Sequence, residues 1–194
     1  MSRAGGLSLS ILVAAVLTCA CGDPPEKEMA QAQGAIDAAR ATGADEYAHE
    51  EFGAAQEALL HAHEAVDQHD YRLALNFALD SRTQAQNAAK NAADQKAKAR
   101  ADADHALTAA ATALDAAQLK LRAAENASHV PLKTIAEGRR AVADGEEAVQ
   151  KARTALERGA YRDIPDALKA PTAALRAAGR ELDAATLTPA RRRR

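Results

Sequence analysis

From residue 26 onward, apolar side chains recur at steps of three and four, the period of one helix face, and almost nowhere in strict alternation. The pattern predicts a first helix over Glu26–Thr42, with Met29, Ile36 and Ala39 on one face and a stop at Gly43. A second helix is predicted from Tyr47 to Gln68, its inward face formed by Phe52, Ala55, Leu59, Ala62 and Val66. His69-Asp70 then makes a tight corner, and Asp70 suits the N-cap of the next helix. That third helix runs from Tyr71 to Asn126, with Leu73, Phe77 and Leu79 at its start and Leu107, Leu114 and Leu121 at its end. Between them, residues 80–106 contain no Leu, Ile, Val, Met, Phe or Tyr, and their only apolar side chains are alanines. Two seven-residue series cross that stretch: Ala78, Ala85, Ala92, Ala99, Ala106, Ala113, and beside it Ala89, Ala103, Ala110, Ala117, Ala124. Such spacing suits a seam between closely approaching helices or a coiled coil.

Pro131 disfavours helix in the residue before it and so marks a break near Asn126–Val130. A fourth helix is predicted from Pro131 to Arg158, with Ile135, Ala141 or Val142, Val149, Ala152 and Leu156 inward and Gly159 after it. A fifth starts near Tyr161 or Asp163, carries Leu168, Leu175 and Leu182, and is expected to kink or start late at Pro171. A repeat ties these elements together. Glu57, Ala58, Ala62, Ala65, Tyr71 and Arg72 return ninety residues later as Glu147, Ala148, Ala152, Ala155, Tyr161 and Arg162, without a gap. The expected fold is therefore all-α: an elongated helical bundle of two related helical hairpins joined by a long Ala-rich helix.

Composition adds to this picture. Of 194 residues 54 are alanine, the strongest helix former, whereas the aromatic and β-branched residues that strands favour are scarce. Alanine buries little area, so the core is expected to be thin.

The first twenty residues have a different pattern. Arg3 precedes an apolar run from Leu7 to Leu17, too short to span a bilayer but sufficient for a secretory leader. The run closes on Leu17-Thr18-Cys19-Ala20-Cys21-Gly22. Ala20 is the small residue that a lipoprotein signal peptidase needs before its cysteine, so cleavage is expected before Cys21, with Cys21 acylated. Thr18 makes cleavage before Cys19 the weaker alternative, and an ordinary secretory signal is a third. The predicted organisation is a lipoprotein signal peptide over 1–20, lipidated Cys21 with a short tether over 21–25, and an N-terminal hairpin with the long helix over 26–126. A C-terminal hairpin comes next over 127–186, then a disordered basic tail over 187–194. Without the leader, 24 Lys and Arg stand against 27 Asp and Glu, a net charge of −3. The acidic balance argues against nucleic acid as a partner.

No phosphate-cradling glycine loop, nucleophile elbow or His-Glu-x-x-His motif occurs, so no enzyme activity and no cofactor are expected. Glu57, His61 and Glu64 share one helix face and are candidate metal ligands, weighed against a plain solvated face. Tyr71 and Tyr161, at the paired corners, are expected to pack their rings and keep their hydroxyls wet. Arg191, Arg192, Arg193 and Arg194 are candidates for contact with an anionic surface.

The lipidated cysteine, the Pro-containing tether and the Ala-rich helices extend over Pro24 to about Leu107. They include Ile36-Asp37-Ala38-Ala39-Arg40, Gly43-Ala44-Asp45-Glu46-Tyr47-Ala48 and Asp70-Tyr71-Arg72-Leu73-Ala74. Together they resemble a family of Ala-rich bacterial lipoprotein domains of unknown function, found alone or ahead of OmpA-like domains. The corners are loosely similar to those of tetratricopeptide repeats. By resemblance to sorted lipoproteins of Gram-negative bacteria, Gly22 after the cysteine implies the periplasmic side of the outer membrane. The functional expectation is a non-enzymatic, membrane-anchored envelope lipoprotein with a structural, scaffolding or protein-interaction role. It would hold lipid through Cys21 and meet an envelope protein, or itself, through the Ala-rich helices. The alternative is a periplasmic ligand- or metal-binding helical module.

Overall fold

A computed structural model describes residues 23–187. Cys21, the leader and Arg191–Arg194 lie outside the described residues, so the lipidation site and the basic tail have no structural account. Among the described residues there are six helices and no strand: α1 (Glu26–Thr42), α2 (Ala44–Tyr47), α3 (His49–Asp67), α4 (Tyr71–Asn126), α5 (Leu132–Glu157) and α6 (Ile164–Leu187). None of these helices is long and apolar enough to cross a membrane.

The punctuation acts where the sequence places it. Gly43 ends α1 at φ 88°, in the left-handed region, its N–H bonded to the Arg40 carbonyl. Asp70 caps α4, its Oδ1 accepting from the Leu73 N–H at 3.0 Å. Before α5, Val130 and Ile135 flank the capping Pro131 and are both buried in one cluster, the arrangement of a hydrophobic staple. One boundary differs from expectation. The predicted second helix is interrupted at Ala48 (φ −143°), which separates the single turn of α2 from α3. Pro171 neither delays nor ends α6, which runs from Ile164 through it to Leu187. A proline removes one helical hydrogen bond and crowds the carbonyl four residues back, and the packing of Leu168, Leu175 and Leu182, all buried, offsets that cost.

The chain forms two compact units, one through Lys90 and one from Asn91, so their border falls inside α4. In the first unit α3 runs antiparallel to α1 and to the start of α4. The Arg40 guanidinium sits 5.4 Å over the Phe52 ring, and Ser81 Oγ donates to the Ala55 carbonyl at 2.7 Å. Arg82 reaches Gln31 of α1 at 2.7 Å. The core is thin: α4 contributes Ala74, Ala78, Ser81, Ala85 and Ala88, whereas Leu73 and Leu79 of the expected apolar start are exposed. On α3, Ala58 and Ala65 are buried and Val66 is only half-buried.

In the second unit the end of α4, α5 and α6 share one apolar cluster. Gln118 bonds Glu146 at 2.6 Å, Arg139 bonds Glu125 at 2.7 Å, and Lys120 bonds Asp183 at 3.2 Å. Leu175 and Leu182 lie directly over two glycines of α5. A Cβ on Gly145 would fall 2.8 Å from the Leu175 methyls, and one on Gly138 would fall 3.0 Å from Leu182 Cδ1. The glycines let the helices approach where a leucine projects.

The alanine seam of α4 is continuous only in part. Ala78, Ala85 and Ala92 are buried, as are Ala103, Ala110, Ala117 and Ala124; Ala89, Ala99 and Ala106 are half-buried. No side chain of residues 93–102 is buried. The buried series therefore advances by seven, then by eleven from Ala92 to Ala103, then by seven again. An eleven-residue step is close to three turns of an ordinary α-helix, so the alanine pattern keeps helical phase across the exposed stretch.

Candidate functional site

The ninety-residue repeat is visible in backbone geometry. At the first corner Asp70 N–H bonds the Ala65 carbonyl and His69 N–H bonds Val66, with His69 at φ 61°. At the second, Ala160 N–H bonds Ala155 and Gly159 N–H bonds Leu156, with Gly159 at φ 80°. Both are the paired bonds of a Schellman turn, residue for residue. The corner tyrosines are both half-buried, and the Tyr71 ring lies 6.1 Å from that of His69.

The repeat brings two equivalent side-chain groups onto the outer side of each hairpin. In the first unit the structure brings Glu57, His61 and Glu64 together. His61 Nδ1 stands 3.0 Å from Glu64 Oε2, and Nε2 stands 3.8 Å from Glu57 Oε1. All three are substantially exposed, and the His61 ring rests against Phe77, with centroids 5.3 Å apart. Among the described residues no group of three or more His, Cys, Asp or Glu side chains is arranged to hold a metal ion. The three residues form a row along one helix, with Glu64 hydrogen-bonded to one ring nitrogen and the Glu57 carboxylate facing the other beyond hydrogen-bond distance.

Ninety residues on, Lys151 takes the place of His61, Glu147 that of Glu57 and Ala167 that of Phe77. Lys151 Nζ bonds Glu147 Oε1 at 2.6 Å. That hydrogen bond, and then the ammonium charge, hold the Glu147 carboxyl below its ordinary range. With no ring at position 167, a groove of about 470 Å³ opens between α5 and α6, over Ala148, Ala152, Ala155 and Ile164, with Asp144, Glu147, Lys151 and Asp163 around it. A second hollow of about 430 Å³, lined by Glu137, Arg140, Gly145, Ala170 and Pro171, shares Asp144 with it. Burial shows the same difference: Ala58 and Ala65 are buried, and their counterparts Ala148 and Ala155 are half-buried.

Reading the sequence for reactive residues misses this groove, because alanines line it. The signal available was the repeat itself, which sets Ala167 against Phe77.

Residues 27–104 match the family described as a domain of unknown function (DUF4398). This agrees in extent with the resemblance read from Pro24 to about Leu107. Neither the curated proteins nor the solved structures contain a match.

Proposed function

We propose that the chain is a non-enzymatic lipoprotein of the cell envelope, held to the membrane through acylated Cys21 and presenting its helices to a protein partner. The leader carries this reading: an apolar run from Leu7 to Leu17, then Ala20-Cys21-Gly22. The fold is compatible with such an anchor, since α1 begins at Glu26, five residues after Cys21. At about 3.5 Å per extended residue, that tether spans roughly 15–20 Å. Confinement of the helices near a membrane raises their effective concentration for a partner in the same compartment. Gly22 favours the periplasmic face of the outer membrane.

The test is Cys21→Ala in cells. The expected result is loss of the mature chain from the membrane fraction, and of the acyl mass from its N-terminal peptide. A variant that still sediments with membranes refutes anchorage through this cysteine.

A further inference from the structure

We propose that the α5–α6 groove docks a basic amphipathic helix of a partner protein, which seats an aromatic side chain in the space beside Ala167. This deepens the interaction part of the proposed function and rests on it, but is independent of the lipid on Cys21.

The chain carries a template for the occupant. At the matching position of the first unit the Phe77 ring lies 5.3 Å from the His61 ring, and Ala58 and Ala65, about one helical turn to either side of His61, are buried. In the second unit the same backbone plan carries Ala167, and of the floor alanines Ala148 and Ala155 are half-buried while Ala152 is buried. An aromatic ring supplied from outside would complete what Phe77 completes internally. The groove has the length of a helix: from Glu137 to Ala155 the α5 face it tracks is about 27 Å long at 1.5 Å per residue. A floor of alanines allows a partner helix to come close, because interaxial distance is set by the side chains between.

Charge selects among possible helices. Four carboxylates, Glu137, Asp144, Glu147 and Asp163, border the two hollows against two cations, Arg140 and Lys151. Lys151 is engaged with Glu147. The net negative rim fits lysines or arginines about one turn from the aromatic residue.

The probe is a fluorescent, Ala-based helical peptide of eighteen residues with one Phe and a Lys four positions on either side. It is titrated against the full chain by anisotropy. The expected result is saturable binding that weakens at least about tenfold when Ala167→Phe fills the groove, and likewise when the peptide's Phe becomes Ala. Circular dichroism checks the fold of Ala167→Phe. Should that variant not fold, Asp144→Asn with Asp163→Asn replaces it, since both carboxylates are exposed, and an equal loss is expected. Unchanged binding in these variants, equal binding of the Phe-less peptide, or no binding overturns the proposal. So does self-association abolished by the same variants, which would make a second copy the occupant, or binding of phenethylamine without the peptide. Membrane fractionation of Cys21→Ala is read separately, so loss of peptide binding with intact anchorage removes the docking site and leaves the anchor standing.

Discussion

The two units place their bulk on opposite helices of the same hairpin. At positions ninety apart, buried Phe52, Ala55 and Leu59 of α3 face the roles of Val142, Gly145 and Val149 in α5. Along the second helix the exchange runs the other way: Ala74, Ala78 and Ala85 of α4 correspond to Ile164, Leu168 and Leu175 of α6, all buried. The first helix of each unit keeps its bulk in place at a spacing of eighty-five, where Met29, Ala32, Ile36 and Ala39 correspond to Leu114, Ala117, Leu121 and Ala124. Interiors are close-packed, so a plan duplicated in the chain survives divergence only if volume lost from one partner is returned by the other. The second unit does this with leucine over glycine. The first uses a larger residue on α3 against alanine, and adds Ser81, whose hydroxyl is satisfied by the Ala55 carbonyl. Outside the core the balance reverses: the first unit carries the extra ring, Phe77, and the second is left with a groove.

The largest expected effect is at Leu175. Leu175→Ala removes a buried knob from over Gly145 and should cost about 2–5 kcal/mol, read from the urea midpoint and from hydrogen exchange of amides in 103–187. A loss below about 1 kcal/mol would mean that the knob does not organise the unit. Phe77→Ala comes next. Its ring is only half-buried, so a loss of about 2 kcal/mol is expected, below that of a fully buried aromatic. Hydrogen exchange should quicken in α3 around Ala58 and Ala65, and exchange left unaltered there would remove the ring's role as their cover.

The corners differ on a smaller scale. His69 and Gly159 hold the same left-handed conformation, but only glycine does so without steric cost. His69→Gly should stabilise the chain by about 1 kcal/mol, and Gly159→Ala should destabilise it by a similar amount. The same sign for both substitutions in a urea titration would show that the corners are not equivalent.

Much of this architecture was legible in the sequence. The bounds of α1 and α4 follow from apolar period and punctuation, because Gly43 and Asp70 act locally and need no tertiary partner. The repeat was legible from Glu-Ala and Tyr-Arg at fixed spacing. The break at Ala48 was not, since alanine carries no turn preference and the interruption belongs to the tertiary turn around Gly43. Gly138 and Gly145 were not, because a glycine in a helical pattern reads as a weak point until the leucine over it is seen. The buried side of the start of α4 was not legible either: Ala74 and Ala78 are buried there, and the larger Leu73 and Leu79 are exposed. Glu57, His61 and Glu64 were correctly placed on one face, but it took coordinates to show the carboxylates facing the His61 nitrogens and the ring lying on Phe77.

The claim of one plan packed in two ways is tested by a double-mutant cycle between Gly145 and Leu175. In the native chain a Cβ at 145 meets the Leu175 methyls at 2.8 Å, so Gly145→Ala should lose more to overpacking, about 1–3 kcal/mol, than the roughly 1 kcal/mol alanine gains in a helix. In a Leu175→Ala background the obstruction is gone, and the same substitution should stabilise, copying the Ala55 and Ala85 of the first unit. A reversal of sign across the cycle is expected. Gly145→Ala having the same sign and size in both backgrounds would refute the shared plan.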